Sequence, residues 1–150
     1  MLETIKSLCE ERQKVIVSKD KGSACEHRAI NEGENLVAHY QIDGDLFTDK
    51  TTLRCDFLVL NEEKKNAYLI ELKGTKLLHA IKQLENTADM LKKDLKEYQV
   101  YFRIVYHTNT HSIRSSEYIK FCKKWKGRVL AKTSIGVQGV QTRLKRNVRF

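Results

Sequence analysis

Two short apolar runs separated by a charged turn stand out in the middle of the chain. The first is Arg-Cys-Asp-Phe-Leu-Val-Leu at 54–60, and the second is Ala-Tyr-Leu-Ile-Glu-Leu-Lys-Gly at 67–74. Runs of this length on either side of a polar stretch predict two strands joined as a hairpin. Acidic and basic residues interrupt both runs, with Asp56 in the first and Glu71 and Lys73 in the second.

Side chains alternate between the two faces of a strand, so these charged residues have defined neighbours. Asp56 falls on the face of Leu58, while Glu71 and Lys73 fall on the face of Leu69. If both faces lie on the same side of the sheet, two carboxylates and an ammonium meet where the strands pair. An unpaired charge on an apolar strand is costly, and a divalent cation between the carboxylates would remove that cost and create a reactive centre. The alternative is a structural ion pair between Lys73 and the carboxylates at a sheet edge.

The N-terminal part of the chain has the spacing of helices. Apolar positions between residues 2 and 16 recur at intervals that predict an amphipathic first helix. Ser23 is followed by Glu26 in the S-x-x-E pattern of a capping box, which predicts a second helical stretch starting there. A first strand is predicted over Leu36–Ile42.

After the hairpin the period of the apolar positions changes from that of a strand to that of a helix. Apolar residues from Leu77 to Tyr98 recur at alternating steps of four and three, which predicts one long helix packed on the sheet. A strand over Val100–Tyr106, a helix over Ser115–Lys126 and a short strand at Val129–Leu130 complete the predicted order.

Composition favours one folded domain over residues 1–150. The chain has 41% apolar and 31% charged residues, no proline and seven glycines, so neither a linker nor a disordered region is indicated. No apolar signal region and no run of membrane-spanning length is present, which predicts a soluble, cytoplasmic protein without a membrane partner. The four cysteines form no CxxC pair, so we expect reduced thiols rather than a zinc site, an iron–sulfur cluster or disulfides.

Positive charge is concentrated in a C-terminal extension that starts at about residue 111. Residues 1–110 carry 17 Lys and Arg against 18 Asp and Glu, whereas residues 111–150 carry 11 against one. Such a basic region, interleaved with aromatic residues, predicts salt-dependent binding of nucleic acid, with a solvated basic surface or an anionic membrane surface as alternatives. The candidate contacts are Lys120, Lys123, Lys124, Lys126, Arg128, Arg143, Lys145 and Arg146.

The order of helix, three strands, long helix and strand, with Asp56 and Glu71-x-Lys73 on the second and third strands, resembles the core of the PD-(D/E)xK nuclease superfamily. That superfamily includes many restriction endonucleases and the archaeal Holliday junction resolvases. The resemblance covers roughly residues 20–106. It implies an α/β fold with a restriction endonuclease-like core, a central mixed sheet flanked by helices in the order αβββαβ.

Three further positions bear on the resemblance. The stretch Lys-Gly-Ser-x-x-Glu-x-Arg at 21–28 is similar to the opening of archaeal resolvases, in which a helix-borne glutamate joins the metal site. Glu26 would then be a third acid, or alternatively only the partner of Ser23 in the helix cap. Cys55 stands where the name-giving proline is expected. Gln83 resembles a glutamine of recombination-type exonucleases, which makes it a further candidate nucleic-acid contact, although Thr87 stands where their tyrosine is expected.

The resemblance implies an Mg²⁺-dependent endonuclease acting on DNA, of restriction, defence or recombination type. Asp56, Glu71, the carbonyl of Leu72 and Glu26 would hold Mg²⁺ or Mn²⁺, and Lys73 would orient or deprotonate the attacking water. One alternative is a Holliday junction resolvase, which would act as a symmetric homodimer. The other is a nucleic-acid-binding module that has the fold without catalysis.

Overall fold

A five-stranded mixed sheet lies at the centre of the protein, between two helices and a second sheet. The computed structural model describes residues 1–20, 25–72, 76–106, 115–133 and 140–144. Within these residues the elements are a 3-10 turn at Leu2–Thr4, the helices α1 (Leu77–Met90) and α2 (Ser116–Lys124), and the strands β1 (Val15–Lys19), β2 (Glu26–Ile30), β3 (Val37–Gln41), β4 (Phe57–Asn61), β5 (Asn66–Leu72), β6 (Gln99–Tyr106), β7 (Val129–Thr133) and β8 (Val140–Arg143).

The central sheet has the order β3-β4-β5-β6-β7. Strands β3, β4 and β5 are antiparallel, whereas β5, β6 and β7 run parallel. The small sheet has the order β1-β2-β8, with β1 antiparallel and β8 parallel to β2. The described residues therefore form a mixed α/β fold with two mixed sheets. Because β5 ends at the edge where β4 begins, α1, which follows β5 in the chain, starts near that edge as well.

The predicted hairpin is present as β4 and β5, with Leu58 opposite Leu69 and Phe57 opposite Ile70. Leu58 and Leu69 belong to the core beneath the helices, while Phe57 and Ile70 belong to the core beneath the small sheet. Both strands are therefore buried on both faces. This alternation places the residues on the face of Leu58 and Leu69 toward the helices.

Two apolar cores hold the layers together. Beneath the helices, Leu84 and Phe121 pack on the central sheet, and the Phe102 ring lies 5.1 Å from the Phe121 ring and 4.6 Å from the Trp125 ring. Beneath the small sheet, Ile16 packs with the inward residues of β4 and β5. Burial of both faces of one sheet removes much apolar surface from water, and this is the main stabilising term of the fold.

The two predicted N-terminal helices are wrong. Within 2–16 only the 3-10 turn is helical, and β1 begins at Val15. Ser23 lies outside the described residues, but Glu26 opens β2, so it does not serve as the third residue of a helix cap. Buried and less buried residues alternate along both strands, and Ile16 pairs with Ala29 across them. The period is therefore that of strands, which suits the β-branched run at 15–17.

The long helix is shorter than its apolar stripe predicts. Helix α1 ends at Met90, and turns follow up to residue 97. Leu91 and Leu95 are nevertheless buried in the core beneath the helices, so the apolar spacing continues past the end of the helix. The remaining predicted elements correspond to β3, β6, α2 and β7, whereas β8 was not predicted. None of the described helices is long and apolar enough to cross a membrane.

Two histidines are buried on the small-sheet side of the central sheet. His27 Nε2 lies 2.8 Å from Thr142 Oγ1, and His39 Nε2 lies 3.0 Å from Ser18 Oγ. Burial lowers the pKa of His39 to about 4. Burial, with a smaller contribution from the Arg103 charge, lowers the pKa of His27 to about 3. Both imidazoles are therefore neutral in the folded protein at neutral pH.

We expect the His39 environment to make the protein acid-sensitive. The unfolded chain protonates His39 near its ordinary pKa of 6.5, whereas the folded chain does so only near pH 4, so this contribution to stability is complete above pH 6.5 and is lost below it. Relative to His39→Gln, the wild type should lose about 1–2 kcal/mol of unfolding free energy between about pH 7 and pH 5. Urea unfolding of both proteins across this range measures the difference, and a constant difference would contradict the prediction.

Candidate metal centre

The carboxyl groups of Asp56 and Glu71 lie in hydrogen-bonding contact at the edge where β4 begins and β5 ends. The backbone N–H of Asp56 donates to the carbonyl of Ile70 at 3.1 Å, which extends the hairpin pairing by one residue. The N–H of Leu72 donates to Asp56 Oδ2 at 2.8 Å and fixes that carboxyl group. The alternation predicted from the sequence thus brings both acids to the same face of the sheet.

This pair of acids is largely buried, and one of its carboxyl oxygens has no hydrogen-bond partner among the described residues. Glu71 is only 6% exposed, and its Oε1 atom is buried with no hydrogen-bond partner among those residues. Burial, and then the charge of Asp56, raise the pKa of Glu71 to about 10. Burial also raises the pKa of Asp56 to about 6, although the Leu72 N–H acts in the opposite direction. Two ionised carboxylates in this position are unfavourable unless a cation lies between them.

Two further acids surround the pair, and sequence reasoning did not single them out. Asp43 contributes to the raised pKa values of both Asp56 and Glu71, and Asp20 contributes to that of Asp56. Asp43 Oδ1 lies 2.8 Å from an Arg54 guanidinium nitrogen. Asp43 lies just after β3 and Asp20 just after β1, in connecting segments that have no periodic sequence pattern.

The described residues contain no group of three or more histidine, cysteine, aspartate or glutamate side chains arranged to hold a metal ion. The candidate centre within this part of the chain is therefore the pair alone, with the carbonyl of Leu72 as a neighbouring oxygen. Its donors are hard oxygen atoms, and the unpartnered Glu71 Oε1 is the kind of atom that a cation satisfies. Oxygen ligands of this kind are suited to Mg²⁺ or Mn²⁺.

Glu26 is not brought to this centre as a helix-borne acid. It begins β2, and its Oε2 lies 2.5 Å from Arg28 Nε, so its charge is balanced locally. The helical expectation failed because the segment pairs with β1 and alternates in burial. Lys73 follows Leu72 directly in the chain, but it lies outside the described residues.

One face of α1 holds the segment that leads into Asp56. Gln83 Nε2 donates to the carbonyl of Arg54 at 3.1 Å, and Asn86 Nδ2 donates to that of Leu53 at 2.6 Å. Thr87 Oγ1 accepts the backbone N–H of Cys55 at 2.8 Å. Gln83, which the sequence offered as a nucleic-acid contact, thus makes a contact within the protein. We call Gln83, Asn86 and Thr87 the helix clamp.

The predicted basic contacts differ in their surroundings. Lys124 Nζ lies 2.8 Å from Glu85 Oε2, and Arg143 Nη1 lies 3.3 Å from Glu32 Oε1. Arg128 lies over the Trp125 ring at 5.4 Å and donates to the Trp125 carbonyl. Lys120, Lys123 and Lys126, on or just after α2, are exposed, as is Lys124. Lys145 and Arg146 lie outside the described residues.

The chain matches no protein-family model, no curated protein and no solved structure. The candidate centre is therefore judged on its own geometry, which consists of a contacting carboxyl pair, a buried unpartnered oxygen and a helix clamp. A structural ion pair would need a cation beside the carboxylates, and Lys73 is the residue that the sequence offers for that role.

We expect the acid pair to destabilise the metal-free protein at alkaline pH. The folded state binds the Glu71 proton more tightly than the unfolded state, so its stabilising contribution is complete below pH 4.5 and is lost as the pH rises toward 10. Glu71→Gln should therefore raise the unfolding free energy by at least about 1 kcal/mol at about pH 8 in EDTA, and by less at about pH 5. Urea unfolding at both pH values measures the effect.

The matched control for this substitution is Glu97→Gln, since Glu97 is exposed in the turns after α1. We expect it to leave the unfolding free energy nearly unchanged at both pH values. If Glu71→Gln destabilises the protein at both pH values, Glu71 is compensated in the folded state, and the inference that the acid pair calls for a cation is refuted.

We expect Thr87→Val to release the segment before Asp56. The substitution removes the acceptor of the Cys55 N–H and leaves a buried donor unpaired, which should cost about 1–3 kcal/mol. Hydrogen exchange of the Cys55 amide should become faster in Thr87→Val. Thr87→Ser keeps the hydroxyl group and should retain the protection, so equal exchange rates in both variants would contradict the role of the clamp.

Proposed function

We propose that this protein is a Mg²⁺- or Mn²⁺-dependent endonuclease that hydrolyses phosphodiester bonds in DNA. The observation that carries the proposal is the buried Asp56–Glu71 contact, with one Glu71 oxygen left unpartnered among the described residues. Buried polar groups are normally satisfied, and perturbed carboxyl groups of this kind are characteristic of functional sites. Lys73 follows two residues after Glu71 and supplies the remaining member of the nuclease motif.

The order of elements around the pair supports a restriction endonuclease-like core. Strands β3, β4 and β5, helix α1 and strand β6 follow one another as in the βββαβ part of the expected order. The expected leading helix has no counterpart in the described residues, where the small sheet covers the central sheet instead. The proposal therefore rests on the β4–β5 hairpin and its two acids. The small sheet stands in place of the expected first helix.

Asp56, Glu71 and the Leu72 carbonyl would hold the cation. Such a cation would supply positive charge near the phosphate under attack and would make a neighbouring water more acidic. The Leu72 N–H keeps Asp56 Oδ2 in place, and the helix clamp keeps the preceding backbone in place. These contacts preorganise the carboxylates, which limits the reorganisation needed during the reaction.

Lys73 would complete the chemistry as the group that orients the attacking water or accepts its proton. The water oxygen forms a bond to phosphorus, the bond from phosphorus to the leaving sugar oxygen breaks, and that oxygen takes up a proton from solvent. A lysine near a bound cation has a lowered pKa, so both roles are chemically accessible. Exposed basic residues such as Lys120, Lys123 and Lys126 would contribute salt-dependent affinity for the DNA backbone without reading its sequence.

We expect cleavage to depend on both the cation and the motif. Wild-type protein should cut DNA in Mg²⁺ or Mn²⁺ and be inactive in EDTA, because the carboxylate pair needs a cation. Lys73→Ala should lower the cleavage rate by about 100-fold or more while binding is retained. Gel assays on linear duplex, single-stranded DNA, a four-way junction and RNA measure the rates and identify the preferred substrate.

Lys92→Ala is the matched control, since Lys92 is exposed beyond the end of α1. Its cleavage rate should equal that of the wild type. Preference for the junction, together with a dimer in solution, would identify a resolvase. Salt-sensitive binding without cleavage on any substrate would refute the nuclease and favour a non-catalytic binding module. Cleavage by Asp56→Asn at the wild-type rate would refute the assigned centre.

A further inference from the structure

A polar pocket of about 390 Å³ lies beside the carboxylate pair, between the loop that precedes β4 and the first turns of α1. Asp43 forms part of its wall and also acts electrostatically on both Asp56 and Glu71. Arg54 and Gln83, which hold the approach to Asp56, line it as well. The pocket is therefore adjacent to the candidate centre and shares its supporting residues.

The loop wall of the pocket is braced by its own hydrogen bonds. Asp49 Oδ2 accepts the backbone N–H groups of Thr51 at 3.1 Å and Thr52 at 2.6 Å. Arg54 donates to the Asp49 carbonyl at 2.6 Å and to Asp43 Oδ1 at 2.9 Å. The charge of the Asp43 carboxylate is thus balanced by the Arg54 guanidinium, which already donates hydrogen bonds within the loop. Such a braced wall holds its shape before any ligand arrives.

Two exposed side chains that can donate hydrogen bonds, those of Lys50 and His79, line this pocket. Lys50 comes from the loop and His79 comes from α1, and both are exposed. Neither makes a hydrogen bond or an ion pair that is found among the described residues. Lysine is a common binder of phosphate as a point charge, and a histidine ring N–H donates to phosphate oxygens. Lys50 and His79 thus line the same pocket, one from the loop and the other from α1.

We propose that this pocket binds a backbone phosphate of DNA next to the phosphodiester that is cleaved, with Lys50 and His79 as its ligands. The inference rests on the proposed nuclease function, which places the DNA strand beside the acid pair. It adds a second site, separate from the acid pair, that would position the DNA backbone. The volume lies within the range of about 300–1,000 Å³ typical of ligand sites, so the pocket has room for a nucleotide-sized group. Backbone phosphates held beside a reactive centre fix the register of the strand on the protein.

The test is DNA binding measured apart from cleavage. Fluorescence anisotropy of a short fluorescein-labelled duplex, in EDTA, compares the wild type with the double variant Lys50→Ala/His79→Ala. We expect the double variant to bind about 5- to 30-fold more weakly. The slope of log affinity against log salt should decrease by about one, because one phosphate contact of the lysine is lost. Both residues are exposed, so the variant should fold normally, which circular dichroism and melting check.

The matched control is the double variant Lys92→Ala/Lys96→Ala, which removes two exposed lysines from the turns beyond α1. Its affinity should stay within about twofold of the wild type, because these lysines lie outside the pocket. If both double variants bind equally well, or if the wild type shows no salt-sensitive binding of duplex DNA, the proposed site is refuted.

Cleavage in Mg²⁺ separates this inference from the proposed function. If the wild type binds DNA, Lys50→Ala/His79→Ala weakens that binding, and no metal supports cleavage, the phosphate site stands while the nuclease fails. If the wild type cleaves DNA and Lys50→Ala/His79→Ala binds and cleaves as well as the wild type, the nuclease stands while the phosphate site fails. If both stand, the double variant should have a raised KM with a smaller change in kcat, as expected for lost binding to a positioning site.

Discussion

Ionisation of both the Asp56 and the Glu71 carboxyl groups is electrostatically costly, and the rest of the structure holds the two groups in the position that makes it so. Glu71 lies within β5, which is buried on both faces, so its side chain cannot turn to solvent without disturbing the pairing of β4 and β5, whereas Asp56 directly precedes β4 and is half-buried. Repulsion between like charges grows as the surroundings become less polar. The two apolar cores stabilise the hairpin and so offset the cost of the buried acids. Unfavourable arrangements at functional sites generally persist in this way, because the surrounding structure fixes their geometry.

The layered arrangement also decides which elements can approach the pair. The small sheet covers the opposite face of the central sheet, so the acids face α1 and the loop that precedes β4. Helix α1 begins at the same edge, and its clamp residues reach back to the loop. Binding energy for a substrate would therefore have to come from the loop, from α1 and from the edge of the sheet. The proposed phosphate site lies at the meeting point of the first two.

Much of the centre of the fold follows from local patterns in the sequence. The hairpin was predictable because its apolar runs alternate around a polar turn, and the same alternation placed Asp56 and Glu71 on one face. The N-terminal strands were not, because a segment with few apolar positions fits both a helix and a strand until its partner is known. Strand β8 depends on pairing with β2, more than a hundred residues earlier. The positions of Asp20 and Asp43 depend on loop geometry, which has no periodic signal.

The hydrogen bond between the Cys55 amide and the Thr87 hydroxyl couples two positions at which the resemblance led us to expect a proline and a tyrosine. A proline at position 55 has no N–H to donate, so it would leave the Thr87 hydroxyl without this partner. A tyrosine at position 87 could not occupy the fully buried place of threonine without displacing its neighbours. The residues at positions 55 and 87 are therefore coupled, and a substitution at either position changes which residue type the other position can accept.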